Sequence, residues 1–372
     1  MDMEEHVAKR YSQGAEQVEP SLCCPVSYPA ELLAMLPQEI IDKDYGCGNP
    51  SLYVQPGDTV LDLGSGGGKV CYMAAQLVGT GGRVIGVDMN DDMLALSRKY
   101  QGEIAAKLGE DRVVFHKGRI QDLALSLDKV EEYLRHQPVS TLDQLNEFLA
   151  WQRDMRQNAP MIADNSVDLV ISNCVLNLVN EEEKRQLVQE IYRVVKPGGR
   201  IAISDIVCDE LPPEALKKDP HLWSGCISGA FQEREMITAF AQVGFSAVAF
   251  SEWQAAPWQV VEGIEFRSVT LTAVKHPRHQ ESDRGHAVIY RGPFAVVEDE
   301  QGRRFPAGER VAVSTESFRQ LGDGAYGDAF IRLTPPRLAS PTPFDLPSGS
   351  RRPATVTRGG HTALVIGKTS CC

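Results

Sequence analysis

From Asp58 onward, short runs rich in valine and isoleucine alternate with helical stretches: TVLDLG, VCYMAAQLV, GRVIGVD, MLALSRKYQ, VVFHKG, VDLVISN, KRQLVQEIYRVV and GRIAISDIV. Strands that are apolar along their whole length are buried on both faces, and helices between them supply the cover. The alternation therefore predicts an α/β fold, a parallel sheet with helices on both faces. GFSAVAF and FRSVTLTAV add two later strands.

Around this block the chain changes character. Residues 1–56 read as a helical lead-in or lid, in which ELLAMLPQEIIDKDYG is apolar at helical spacing despite Pro37. The main domain spans 57–280. Residues 123–160 interrupt its rhythm as a helical insertion, with Leu142, Leu145, Leu149, Trp151 and Met155 as its stripe and Thr141 with Gln144 as a capping box. Residues 281–335 form a small β-rich region with a turn at Glu300-Gln301-Gly302, and 336–372 a Pro/Ser-rich tail ending in Cys371-Cys372.

Thirty-eight basic against fifty acidic residues give a formal charge of −12, which repels phosphate backbones and anionic membranes. Nucleic acid and membrane partners are disfavoured. There is no apolar leader at the N-terminus and no run of membrane-spanning length, so a cytoplasmic location is expected. Nine cysteines without a secretion signal argue for reduced thiols with chemical tasks, and the absence of a Cys-x-x-Cys pair argues against a zinc finger.

LDLGSGGGK places Gly64, Gly66 and Gly68 between a strand and a helix, where the backbone turns tightly and a ligand can approach it. Asp88 ends the next strand at the distance where a carboxylate accepts ribose hydroxyls. The glycine order, preceded by Asp62, is not that of a dinucleotide site. It resembles the Asp-x-Gly-x-Gly-x-Gly motif of Rossmann-like class I S-adenosylmethionine methyltransferases. That resemblance implies a donor site of Asp62, Gly64, Ser65, Gly66, Gly68, Asp88, Met89, Ile120, Gln121 and Asn173, the 118–122 segment facing adenine.

The fourth strand of the alternation ends Ser172-Asn173-Cys174, without the Pro-Pro-aromatic motif that holds planar amines. Ligands of open α/β sheets bind beyond the carboxyl ends of the strands, so Cys174 meets the methyl acceptor. Cys226, between Gly225 and Ser228, and Cys47, between Gly46 and Gly48, lie in loops able to reach the same rim. Any one of them alone reads as a small buried hydrophobe. Three together suit a soft trivalent centre with a lone pair, such as arsenic(III), which attacks a sulfonium methyl without a general base.

The segments DYGCG at 44–48, DLGSGGGKVCY at 62–72, GVDMN at 86–90, SNCVLNLV at 172–179, PGGRIAISDI at 197–206 and LWSGCISGA at 222–230 closely resemble the arsenite S-adenosylmethionine methyltransferases. GIEFRSVT, AVIYRG and the terminal cysteine pair extend the likeness. The resemblance implies that Cys174 and Cys226 hold the arsenical throughout and that Cys47 is the third ligand. Cys23 or Cys24 would capture arsenite and form a disulfide with Cys47 that thioredoxin or glutathione reduces. Cys71 and Cys208 read as structural. Cys371-Cys372 either passes arsenicals on or is a solvated end. The insertion and the doubled Cys23-Cys24 depart from the family pattern. A methyltransferase of another small thiol or natural product, a non-catalytic metalloid-binding protein and an RNA methyltransferase remain as alternatives.

Overall fold

The computed structural model describes residues 3–19, 26–276, 281–322 and 324–358. The chain divides into two units, Met1–Lys275 and His276–Cys372.

The first unit contains helices α1 (Met3–Glu16), α2 (Ala30–Leu33), α3 (Gln38–Asp42), α4 (Lys69–Val78), α5 (Asp91–Leu108), α6 (Leu127–His136), α7 (Leu142–Asn158), α8 (Lys184–Val194), α9 (Glu214–Lys217), α10 (Pro220–Ser224) and α11 (Glu233–Val243). Its strands are β1 (Thr59–Leu63), β2 (Arg83–Asp88), β3 (Val113–Arg119), β4 (Asp122–Ser126), β5 (Val167–Asn173), β6 (Val195–Cys208), β7 (Phe231–Gln232), β8 (Ser246–Trp253), β9 (Gln259–Val261) and β10 (Ile264–Val274). They form one sheet in the order β4-β3-β2-β1-β5-β6-β10-β8, with β7 beside β6 and β9 beside β10. β3, β2, β1, β5 and β6 run parallel. β4, β10 and β8 are antiparallel to their neighbours. The expected parallel sheet forms its centre, and the antiparallel strands added at both edges make the whole sheet mixed.

Apolar strands need cover on both faces. On one face Leu187, Val188 and Ile191 of α8 and Met236 and Phe240 of α11 pack on Leu61, Val170, Ile201 and Leu271. On the other, Val70, Met73 and Ala74 of α4 and Leu94 and Ile104 of α5 pack on Val60, Val84 and Leu169. Strand order reverses between β1 and β5, the switch point where such sheets open a crevice.

Pro37 splits the expected single lead-in helix, capping α3 where it cannot donate into a continuing turn. The insertion begins with β4 before turning helical. Its Thr141/Gln144 capping box is present. Leu142 is 72 % exposed, and Leu145 and Leu149 also face solvent, so the leucine stripe is not the core contact. Instead Tyr133 of α6 packs on Trp151 and Phe148 of α7, with ring centroids at 4.5 and 5.3 Å. Arg156 binds Asp122 in a forked ion pair that returns α7 to β4.

The second unit carries a three-stranded sheet, β15-β12-β16 (Arg310–Ala312, Ala287–Tyr290, Phe330–Leu333), and a hairpin of β13 (Val296–Glu298) and β14 (Arg304–Pro306). Gly302 turns the hairpin with φ +74°. Residues 337–358 lie on this unit: Ala312 N–H donates to Ser350 O, and Arg352 pairs with Asp283. Cys371-Cys372 lies outside the described residues. Among the described residues no helix is long and apolar enough to cross a membrane.

Phe240 is fully buried against Phe245. Phe240→Ala is expected to lower unfolding free energy by about 3–5 kcal/mol in urea titrations, whereas Leu142→Ser should change it by less than about 0.5 kcal/mol.

Candidate functional site

The crevice at the switch point is lined from several elements. Gly64 and Gly66 follow β1 with φ of +68° and +50°, left-handed conformations that glycine adopts without penalty. A Cβ on Gly64 would fall 2.4 Å from Val175 Cγ1, so the residue after Cys174 needs that glycine bare. The loop is tied to β2: Gly64 and Ser65 N–H donate to Val87 O, and Gly66 N–H donates to Asp88 Oδ2. Asp88 Oδ1 accepts from Asn90 N–H, which fixes the turn into α5.

Asp62, Gly64, Ser65, Gly66, Asp88, Met89, Ile120, Gln121 and Asn173 all line the cavity, together with Gly118. Gly68 does not. It caps α4 at φ +87°, and a Cβ there would press on Phe115 and Ser97, so its task is packing helix on strand. The lining also includes Val7, Ala8 and Tyr11 of α1, Asp44 and Tyr45 of the lead-in, and Asn90. Asn90 was legible as an N-cap, since Asn90-Asp91-Asp92 opens a helical stretch just after Met89; the α1 residues carry no local signal. No residue of α6 or α7 lines this cavity.

Ser65 Oγ is buried beside the cavity without a hydrogen-bond partner. Burial pushes Asp62 up to about 7, against the lowering effect of the bond from Cys71 Sγ at 3.2 Å. Burial also raises Asp88. A bare glycine turn, an unsatisfied hydroxyl and two buried carboxyls fit S-adenosylmethionine, which brings hydroxyls, donors and positive charge.

At the acceptor end Cys47 and Cys174 form a disulfide with Cα atoms 5.8 Å apart. Cys226 Sγ donates to Cys174 O at 3.2 Å. All three are buried in one apolar cluster with Ile206, Leu216 and Phe266. Cys174 also lines the donor cavity. Cys174 and Cys226 have φ of +60° and +62°, an uncommon conformation for a side-chain-bearing residue and a costly one that neighbours must enforce. Cys174 N–H donates to Ser204 O, and Asn177 Nδ2 donates to Cys226 O. An Asp205 carboxylate oxygen and the two disulfide sulfurs lie within 4.8 Å of one another. Asp205 accepts from Leu176 and Ile206 N–H, and burial pushes it up to about 6.

The partner of Cys47 is therefore Cys174, not an N-terminal cysteine; Cys23 and Cys24 lie outside the described residues. Cys71 sits under the donor cavity on Asp62, and Cys208 donates to Phe231 O with its thiol pushed up to about 12 by burial.

This fold, with a glycine-turn donor cavity opening on a buried thiol cluster, defines a class I S-adenosylmethionine methyltransferase. A family model described as a methyltransferase domain matches residues 54–150 and 140–244, and one described as a domain of unknown function matches 277–362. The arsenite methyltransferase of Aquipseudomonas alcaligenes is 31% identical over 88% of this chain and 90% of its own length. That of Mus musculus is 29% identical over 85% of this chain and 77% of its own. The crystal structure of an arsenic(III) S-adenosylmethionine methyltransferase from Chlamydomonas reinhardtii superposes with a TM-score of 0.57 at 27% identity, covering 87% of this chain and all of that one. The chain belongs to the arsenite methyltransferase family.

Only the ionised Asp62 carboxylate attracts a cationic donor, and its protonated fraction grows as pH falls through about 7. S-adenosylmethionine affinity measured by calorimetry is expected to weaken as pH drops from about 8 to about 6, and Asp62→Asn should weaken binding and flatten the profile.

Proposed function

We propose that Cys47, Cys174 and Cys226 are the three ligands of trivalent arsenic in the transfer of methyl groups from S-adenosylmethionine to arsenite. The observation that carries the reading is their convergence: residues from three distant parts of the sequence lie in one buried cluster, and Cys174 faces the donor cavity. Each As–S bond forms as a thiol proton leaves with an arsenite hydroxyl as water, so three cysteines release three waters and leave a neutral centre with a lone pair. When bound, S-adenosylmethionine supplies an electrophilic methyl on a sulfonium, which that lone pair takes directly.

The protein supplies position and charge. Holding acceptor and donor at fixed places in a dry cleft removes most of the entropy cost of a bimolecular encounter. Methyl transfer moves positive charge toward arsenic, and the Asp205 carboxylate, within 4.8 Å of the Cys47 and Cys174 sulfurs, is placed as a counter-charge. No side chain has to remove a proton from the acceptor.

With Cys47 and Cys174 joined, neither can bind arsenic. A thiol reductant, glutathione or thioredoxin, opens the pair by supplying two electrons and two protons and becomes a disulfide itself. Cys23 and Cys24 serve as capture thiols, and the methylated products serve arsenic detoxification in the cytoplasm.

Chromatographic arsenic speciation after incubation with arsenite, S-adenosylmethionine and glutathione is expected to show methylated arsenicals. Cys174→Ser and Cys226→Ser should each lower their rate by about 100-fold or more, because a two-thiol site loses the chelate advantage. Omitting the reductant should abolish turnover. Full activity in either serine variant would remove the ligand assignment.

A further inference from the structure

Asn173 stands at the end of β5 immediately before Cys174, at the rim of the donor cavity, where a donor contact is expected. Its amide is committed elsewhere. Oδ1 accepts from Cys47 N–H at 2.9 Å and Gly48 N–H at 3.0 Å, and Nδ2 donates to Gly48 O at 2.9 Å and Tyr28 Oη at 3.2 Å. These four bonds use the whole capacity of a side-chain amide. Three go to Cys47 and Gly48, and the fourth goes to Tyr28, which itself bonds Gly48.

The facing segment is shaped for the same contact. A Cβ on Gly46 would lie 2.0 Å from Asn173 Nδ2, and one on Gly48 would lie 2.4 Å from Ser204 Oγ. The glycines on either side of Cys47 therefore let the backbone lie flat on Asn173 and Ser204. Ser268 Oγ donates to Cys47 O, so Cys47 is gripped at both its N–H and its carbonyl. Tyr28 donates to Gly48 O as well, closing a ring of bonds around Asn173.

Resting on the ligand assignment above, we infer that Asn173 is a positioning residue for Cys47: it keeps that thiol opposite Cys174 once their disulfide is opened, completing the three-thiolate site. While the disulfide is intact the two residues are joined covalently and the clamp is redundant. After glutathione has reduced the pair, itself becoming a disulfide, nothing covalent holds the lead-in segment to β5. Two thiols on one rigid strand end and loop are enough for a monomethylated arsenical, which has two valences left for sulfur. Arsenite has three, and its third ligand stays at the site through Asn173.

The role has a signature that neither donor binding nor general stability shares. The full-length protein is assayed with glutathione and saturating S-adenosylmethionine, with arsenite and monomethylated trivalent arsenic as separate acceptors, for the wild type, Asn173→Ala, Gly46→Ala and Cys47→Ser. The expected result for Asn173→Ala is a loss of kcat/KM of about ten-fold or more with arsenite and of no more than about three-fold with the methylated acceptor, while the calorimetric Kd for S-adenosylmethionine moves less than about two-fold. Gly46→Ala should show the same split, since its methyl group lifts the segment off an intact Asn173. Retained donor binding shows that both variants are folded. The inference is overturned if Asn173→Ala weakens donor binding and depresses both acceptors equally, which makes Asn173 a donor ligand, or if arsenite turnover survives the substitution. Should Cys47→Ser methylate arsenite as the wild type does, the ligand assignment itself fails and the clamp with it. A Cys47 requirement without an Asn173 requirement sinks the clamp alone.

Discussion

Everything at the active cleft depends on the parallel pairing of β1 with β5. The register sets Asp62 beside Ile171 and Leu63 beside Ser172, so both strands end at the same height. One strand then releases the glycine turn and the other Asn173 and Cys174. Gly64 lies against Val175 so closely that a methyl group between them would not fit. A one-residue slip would turn each strand's side chains to the opposite face and separate the donor turn from the thiol. The buried valines, leucines and isoleucines on both faces of these strands oppose that slip, so the packing of the core fixes the distance between two reaction partners.

The thiol cluster is built by opposing means. Cys174 and Cys226 occupy left-handed backbone conformations that a side chain disfavours, while buried side chains around them hold their loops by hydrogen bonds. Asp205 takes N–H groups from the loop after Cys174, and Asn177 reaches both Ile206 O and Cys226 O. Cys47 is not among the left-handed residues and depends on the hydrogen bond its N–H donates to Asn173 Oδ1 and the one its carbonyl accepts from Ser268 Oγ. The three sulfurs are thus positioned by strain at two sites and by hydrogen bonding at the third.

The donor half of this arrangement was readable in the sequence because its determinants are local. A strand, a glycine turn, a helix and an acid at the end of the next strand lie within thirty-odd residues, and each has a spacing rule. Cys174 was readable for the same reason, as a residue at a strand end. The pairing of Cys47 with Cys174 was not, since 127 residues separate them and only the folded sheet brings them together. The bonds of Asn173 were equally hidden, because an amide at a strand end has the same spacing whether it meets a ligand or a loop. The α7 stripe signalled the helix but not its contact: Tyr133, Phe148 and Trp151 join the two helices, while Leu142, Leu145 and Leu149 face outward. Gly68 was grouped with its neighbours by motif, although its left-handed φ and the closeness of Phe115 and Ser97 explain why it is glycine.

The disulfide has a thermodynamic side that chemistry alone does not reveal. A crosslink closing a loop of 127 residues removes enough freedom from the unfolded chain to stabilise the fold by about 5 kcal/mol in the chain-entropy model. That is comparable with the whole net stability of many domains. Under the proposed ligand assignment, the reduced form that takes three As–S bonds is therefore the less stable one, and the bonds to arsenic would restore a crosslink between the same segments. On that assignment the substrate would act as a staple, leaving the reduced protein most vulnerable to unfolding and proteolysis when neither disulfide nor arsenic joins the lead-in to the sheet.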